Sequence, residues 1–176
     1  MLSITIPARE VYDDNAGIFI DVKEHTILLE HSLVSISKWE SKWHKPYLTS
    51  DSKTYSESLD YIKCMTVTQN VDPIVYSCLT RQNYEQIFKY VNDSMTATTF
   101  SDRDDRKGPK KTVTSELIYY WMIEYGIPFE AQKWHFNRLM TLIRICQIKN
   151  SKPQKMTKKD RAMLNASRRA KLGTKG

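Results

Sequence analysis

The chain has 176 residues, of which 40% are hydrophobic and 27% are charged, and its formal net charge is +7. This length fits one domain, or one domain with a tail, and the apolar runs are too short to span a membrane. The first ten residues lack the basic and long apolar segments of a secretory signal, so we expect no export.

The positive charge is concentrated at the carboxyl end. Residues 149–176 contain ten Lys or Arg and one Asp, a net charge of +9, whereas residues 1–148 carry 17 basic and 19 acidic side chains, or −2. A basic face built into the domain, as nucleic-acid-binding domains have, is therefore not indicated. The basic tail could hold nucleic acid, bind an acidic protein or aid solubility. Its candidate binding residues are Lys155, Lys158, Lys159, Arg161, Arg168, Arg169 and Lys171.

No catalytic, metal or cofactor motif is present in the sequence. The three cysteines, Cys64, Cys78 and Cys146, are widely spaced in apolar helical contexts, which indicates small core residues in a reducing compartment. The histidines lack the spacing of a metal site, and the glycines do not cluster into a phosphate-binding loop. We therefore predict that the protein is not an enzyme and holds no cofactor and no metal.

The first thirty residues are typical of β-strands. Residues 3–6, 17–22 and 25–30 are rich in β-branched and apolar side chains, and "DDNAG" before the second strand has the composition of a turn. Two or three short strands form a small sheet that needs another element to pack against.

From Ser32 onward the apolar spacing becomes helical. Ser32 can cap a helix that begins at Leu33 and ends before Pro46. Within it, Trp39 and Trp43 alternate with lysines. This pattern permits base stacking with phosphate binding, but it is more typical of a core-facing stripe with solvated lysines.

Three further helices and a loop follow. Thr54 and Glu57 form a capping box, and Asp72 precedes a proline at a helix start. A helix is predicted over about 82–91. Residues 92–111 have few apolar side chains and dense charge, so we predict a mobile loop.

Residues 115–146 are the densest in aromatic side chains. They predict one helix over about 114–125, which stops at Gly126, and a second helix from Pro128 to about 148. The first helix is apolar on most sides, so it is either buried in the domain or partly buried in a partner. The sequence leaves both interpretations open.

The tail after residue 150 predicts a linker and a weak amphipathic helix that stops at Gly173. Short isolated helices are marginal in water, so we expect this segment to be disordered until bound. The predicted fold is mainly α. It comprises a β element over 1–30, a helical domain over 31–150 and a flexible basic tail over 151–176.

Several stretches resemble one bacteriophage family. They are "LEHSLVSISKWESKWHKPYL", "LDYIKCMT", "MTATTF", "TSELIYYWMIEYGIPFEAQKWHFNRLMTLIRICQIKN" and "LNASRRAKLGTKG". They are similar to the tail assembly chaperones of long-tailed phages, which are encoded just upstream of the tape measure protein. The resemblance covers most of residues 25–176.

The resemblance implies a non-enzymatic role in the cytoplasm of an infected bacterial host. Such chaperones coat the tape measure protein, keep it soluble, help the tail tube protein polymerise around it, and are absent from the finished particle. Many are made in two lengths by ribosomal frameshifting. Homo-oligomerisation of this chain is left open.

Helix-in-groove contacts with a tape measure protein call for apolar and aromatic anchors. Suitable residues are Trp121, Tyr125, Phe129, Trp134 and Met140. Two alternative functions are a structural phage protein, such as a connector or minor tail component, and a nucleic-acid-binding module that uses the tail with Trp39 and Trp43.

Overall fold

The structure, a computed structural model, describes residues 1–13, 17–49, 52–100, 112–150 and 158–173. Its strands are β1 Leu2–Ile6, β2 Arg9–Asp13, β3 Ile18–Val22 and β4 His25–Leu29. Its α-helices are α1 Leu33–Trp43, α2 Tyr55–Met65, α3 Arg81–Val91, α4 Ser115–Glu124, α5 Phe136–Asn150 and α6 Lys158–Leu172. Short 3-10 helices cover Pro73–Cys78 and Phe129–Lys133. The predicted class, mainly α with a small amino-terminal β element, is confirmed.

The chain divides into two compact units, Met1–Arg144 and Ile145–Gly176. The first unit contains the four strands together with α1 to α4, so the β element belongs to the same unit as these helices. Among the described residues, no helix combines the length and the apolar composition needed to cross a bilayer.

β1 and β4 pair antiparallel, with Ile4 opposite Ile27. Ile4, Ile6, Ile27 and Leu29 are buried, whereas the residues that alternate with Ile4 and Ile27 along the strands are exposed. This alternation follows from the two-residue period of a strand, and it gives the pair one face for the core. α3 packs against β1, and α1 packs against both α2 and α4.

β2 and β3 form a separate antiparallel pair inserted between β1 and β4. Tyr12 lies opposite Phe19, and their ring centroids are 5.0 Å apart. The predicted strands over 3–6, 17–22 and 25–30 are confirmed. β2 was not predicted because three of its five residues are charged, which hides the strand pattern.

The predicted helix caps are confirmed. The amide of Ser35 donates to the hydroxyl of Ser32, and the hydroxyl of Ser35 accepts from the amide of Ser32. Thr54 and Glu57 bond reciprocally in the same way at the start of α2. α1 ends at its predicted position, where His44 adopts a left-handed conformation with φ of 51°.

The predicted continuous helix from Pro128 to about 148 is wrong. A 3-10 helix, Phe129–Lys133, is followed by extended backbone at Trp134, and α5 begins only at Phe136. The interruption has a tertiary cause: the amide of Phe136 donates to the carbonyl of His31 at 2.7 Å instead of to a helical carbonyl. The fold therefore uses this backbone group to join two distant segments.

Residues 92–100 form no helix or strand in their described part, as predicted for the first part of the loop over 92–111. The side-chain amide of Asn137 donates to the carbonyls of Val91 and Asp93, at 3.0 and 2.6 Å. The guanidinium of Arg144 lies 4.2 Å from the ring centroid of Phe100. The charged remainder of the predicted loop, 101–111, lies outside the described residues.

In the second unit, α6 coincides with the weak amphipathic helix predicted from the sequence, and Gly173 ends it with φ of 63°. Its described side chains are exposed. Disorder of this segment before binding stays a prediction.

Candidate interaction surface

α4 is anchored at its first residue. The amide of Ser115 donates to Oε2 of Glu40 at 2.7 Å, and Oε1 of the same carboxylate accepts from the amide of Tyr47 at 2.7 Å. Glu40 is buried, so two backbone amides replace its lost hydration. A carboxylate at the amino end of a helix also stabilises the helix dipole. These bonds fix the start of α4 against α1.

α4 has one buried face and one exposed apolar face. Ile118 and Met122 are fully buried. On the opposite side, Tyr120 is 57% exposed and Ile123 is 64% exposed. An exposed isoleucine beside an exposed tyrosine on a rigid helix is a feature of binding surfaces when more apolar residues adjoin it.

The chain turns back beside α4 and extends this surface. Gly126 takes φ of 63°, and the amide of Ile127 donates to the carbonyl of Met122 at 2.8 Å. A left-handed backbone with a bond back to the helix is the usual termination at glycine. The following 3-10 helix, Phe129–Lys133, is thereby held next to α4.

Phe129 packs against Tyr119 with ring centroids 6.4 Å apart, although Phe129 is still 53% exposed. The hydroxyl of Tyr119 donates to Oε1 of Gln132 at 2.9 Å, which ties the 3-10 helix to α4. Burial raises the pKa of the Tyr119 hydroxyl, so it stays a neutral donor. We name Tyr119, Tyr120, Ile123 and Phe129 the apolar patch.

The charges carried by α4 are all acidic. Glu116 and Glu124 are exposed, and the helix contains no Lys or Arg. The pKa of Glu116 is lowered, first by a hydrogen bond from its own backbone amide and then by one from Thr114. Glu116 therefore stays ionised at neutral pH.

The five residues predicted to bind a partner occupy different environments. Phe129 belongs to the apolar patch, and Trp134 is 39% exposed with the guanidinium of Arg138 4.7 Å from its ring centroid. Trp121, Tyr125 and Met140 are half-buried. Among the described residues, no ring contact joins any two of the four aromatic members.

Ile123, the most exposed member of the apolar patch, was missed by the sequence analysis. The signal that could have found it is its position about 100° from Met122 and about 140° from Ile118 around the helix. Tyr120 entered the prediction only as part of a helix that is apolar on most sides. Because α4 is apolar on most of its sides, the helical period of the sequence does not by itself identify the side that faces solvent.

A buried polar cluster joins β4, α2, α3 and the start of α5. Nδ1 of His31 and the hydroxyl of Tyr61 share a hydrogen bond. Nε2 of His135 donates to the carbonyl of Tyr90 at 3.0 Å, and the rings of His31 and His135 lie 5.2 Å apart. We name these four residues with Phe136 the histidine junction.

The histidine junction favours the neutral imidazole of His31. The pKa of His31 is lowered to about 3 by burial and, to a lesser degree, by His135. Because a carbonyl only accepts, Nε2 of His135 carries its proton. Nδ1 is then a buried acceptor that has no partner among the described residues. These groups are enclosed, so the cluster fits a structural role in holding α5.

Trp39 does not offer a base-stacking surface. Its side chain is fully buried, and its indole nitrogen donates to the carbonyl of Glu57 at 2.8 Å. Trp43 stacks on Trp39 with ring centroids 6.2 Å apart. The core interpretation of this pair is confirmed for Trp39, and the nucleic-acid interpretation is wrong there.

The basic tail residues are only partly described. Arg168 and Arg169 are exposed on α6. Lys155 lies outside the described residues, as do the side chains of the remaining members. These members are Lys158, Lys159, Arg161 and Lys171.

In the described part of the chain, no group of three His, Cys, Asp or Glu side chains is placed to hold a metal ion. An open polar depression of about 430 Å³ lies between β1 and α3, and Glu24 is the one ionisable side chain among its described lining residues. Burial raises the pKa of the Cys64 thiol, which disfavours a reactive thiolate.

Comparisons with models of protein families, with curated proteins and with solved structures found no match to this chain.

Proposed function

We propose that this chain is a non-enzymatic tail assembly chaperone of a long-tailed bacteriophage. It binds the tape measure protein in the cytoplasm of the infected host and assists assembly of the tail tube. The resemblance of residues 25–176 to that family supports the proposal. The observation that carries it is the apolar patch, where three of four large side chains are more than half exposed.

The geometry of the patch suits a helical partner. Tyr120 and Ile123 project from the outward face of α4, and Phe129 broadens that face on one side. A second helix can lay an apolar stripe along such a ridge, with anchors at i, i+3 and i+4 spacing. A tape measure protein before assembly is expected to present long stripes of this kind.

Trp134 and Met140 can add to the contact surface without forming its centre. Both are accessible in part, and Trp134 carries a guanidinium over its ring. Several copies along one tape measure chain would raise the overall affinity by avidity, so each contact needs only modest strength. The prediction from the sequence that the basic tail orders on binding is part of this proposal.

The proposal is tested by recovering the tagged protein from infected cells midway through infection, with a high-salt wash and mass spectrometry. We expect the tape measure protein to be recovered with the wild type. The double variant Tyr120→Ser with Ile123→Ser should lose it. Phe88→Ser, at a still more exposed aromatic position on α3, should retain it.

Stoichiometric presence of the protein in purified virions would contradict the chaperone role. Recovery of head or tail-tube proteins without the tape measure protein would contradict it too. Nucleic acid that is recovered alone and lost at high salt would point to the basic tail instead.

A structural phage protein is the second candidate, and the β2–β3 pair favours it. Among the described residues, no backbone hydrogen bond extends this two-stranded sheet beyond either strand. Open strand edges can pair with a neighbouring subunit. Stable rings of the purified protein, seen by electron microscopy, would support this candidate over the chaperone.

A further inference from the structure

The outward face of α4 carries an ordered set of four side chains. Glu116, Tyr120, Ile123 and Glu124 follow i, i+4, i+7 and i+8 spacing, and all four are exposed. Residues at these intervals lie on one side of a helix. At 1.5 Å per residue, the two carboxylates are about 12 Å apart along the axis, with the apolar pair between them.

The acidic character of this face is not offset within α4. The helix has two glutamates and no Lys or Arg. In the adjoining 3-10 helix, Lys133 follows Glu130 by one turn, so their opposite charges lie on the same side. Arg138 is engaged over the ring of Trp134.

We infer that the apolar patch binds an amphipathic partner helix whose apolar stripe is bracketed by two Lys or Arg residues seven or eight positions apart. The inference rests on the proposed function, and it specifies the charge pattern of the tape measure segment that is bound. A helix lying along α4 places its two cations opposite Glu116 and Glu124.

The same charges argue against other occupants of this face. A nucleic acid or an anionic membrane surface would be repelled by two exposed carboxylates. An acidic helix would bring like charges together at both ends of the contact. A basic helix gains two ion pairs at the rim, while the apolar pair at the centre loses its contact with water.

The test uses three synthetic 21-residue helical peptides with one Leu/Ala stripe. The positions that bracket the stripe carry Lys, Gln or Glu. Binding is measured by fluorescence anisotropy at 50 mM salt with the full-length wild type, the variant Glu116→Lys with Glu124→Lys, and Ile123→Ser. Circular dichroism of each variant verifies that its helical content is unchanged.

We expect the wild type to bind the Lys peptide about fivefold more tightly than the Gln peptide. This is the gain in affinity expected from two exposed ion pairs of modest strength. The Glu peptide should bind more weakly than either. The charge-swapped variant should reverse this order, and 500 mM salt should reduce the differences. Ile123→Ser should weaken binding of all three peptides.

Equal affinities for the three peptides, or a preference for the Glu peptide, would overturn the inference. If Ile123→Ser still weakened binding in that case, apolar docking and the proposed function would stand. Absence of binding by every peptide would also overturn it. Recovery of the tape measure protein from infected cells decides the proposed function separately.

Discussion

The histidine junction and the apolar patch lie in the same unit, and both are rich in aromatic rings, yet they reverse the usual placement of side chains. In the junction, His31 and His135 are buried and satisfied mainly through bonds to Tyr61 and Tyr90. In the patch, the side chain of Ile123 is exposed to solvent although it is entirely apolar. In the junction, polar side chains are buried because they have hydrogen-bond partners. In the patch, apolar side chains remain exposed. The junction is therefore expected to contribute to stability, and the patch remains the proposed binding surface.

The largest expected difference comes from two phenylalanines seven positions apart. Phe136 in the junction is 5% exposed, whereas Phe129 in the patch is 53% exposed. Phe136→Ala should lower the free energy of unfolding by about 3–4 kcal/mol because it leaves a cavity. Phe129→Ala should change it by about 0.5 kcal/mol or less. Urea denaturation measures both changes in the free energy of unfolding. Equal changes would contradict the contrast between the junction and the patch.

The second expected effect is a loss of stability in mild acid. The pKa of His31 is lowered from 6.5 to about 3, so below pH 6.5 the unfolded chain binds more protons than the folded chain. Stability therefore falls as the pH drops from about 6.5 towards 3. Between pH 6.5 and 5 the expected loss is about 1.5 kcal/mol.

Denaturation with urea at several pH values tests this loss. His31→Gln should flatten the pH dependence in that window, because the side chain no longer takes up a proton. His25→Gln, at an exposed position, is the matched control and should leave the dependence unchanged. An unchanged slope in His31→Gln would show that other groups cause the acid sensitivity.

A smaller effect is expected where the patch is tied to the fold. Tyr119→Phe removes the hydroxyl that donates to Gln132, and should cost about 0.5–1 kcal/mol. Tyr120→Phe, one residue along and exposed, should cost almost nothing. Thermal unfolding of the two variants distinguishes them. Similar values would show that the hydrogen bond does not hold the 3-10 helix against α4.

The smallest stability effect is expected at the centre of the patch. Ile123→Ser should change the free energy of unfolding by about 0.5 kcal/mol or less, because the side chain is already in water. The same variant should reduce recovery of the tape measure protein from infected cells. Both are measured on one protein preparation. Destabilisation by several kcal/mol would mean that Ile123 serves the core instead.

Local rules predicted the elements whose causes are local. The capping residues Ser32, Thr54 and Asp72 and the stop at Gly126 each act within a few positions of the chain, so the sequence reveals them. The break before α5 was not predictable in this way. It arises because the amide of Phe136 donates a hydrogen bond to the carbonyl of His31, and no local sequence pattern predicts a partner so distant in the chain.

The candidate site was predictable only as a region. The sequence located the aromatic stretch, but the burial of Ile118 and the exposure of Ile123 depend on which side of α4 meets α1. When a helix is apolar on most sides, its sequence pattern does not identify the side that packs against the domain. The burial of Trp39 was easier to predict, because the lysines of the same helix lie on the side opposite its apolar stripe.

The histidine junction also has a consequence for synthesis of the chain. His31 and His135 are about 100 residues apart, which a ribosome covers in roughly 5 to 20 s at typical elongation rates. During that time β4 and α1 have left the exit tunnel, but the segment that completes their packing has not been made. The nascent chain therefore exposes the side of α1 that packs against α4 until its last third emerges, and this interval is when it is most prone to aggregate.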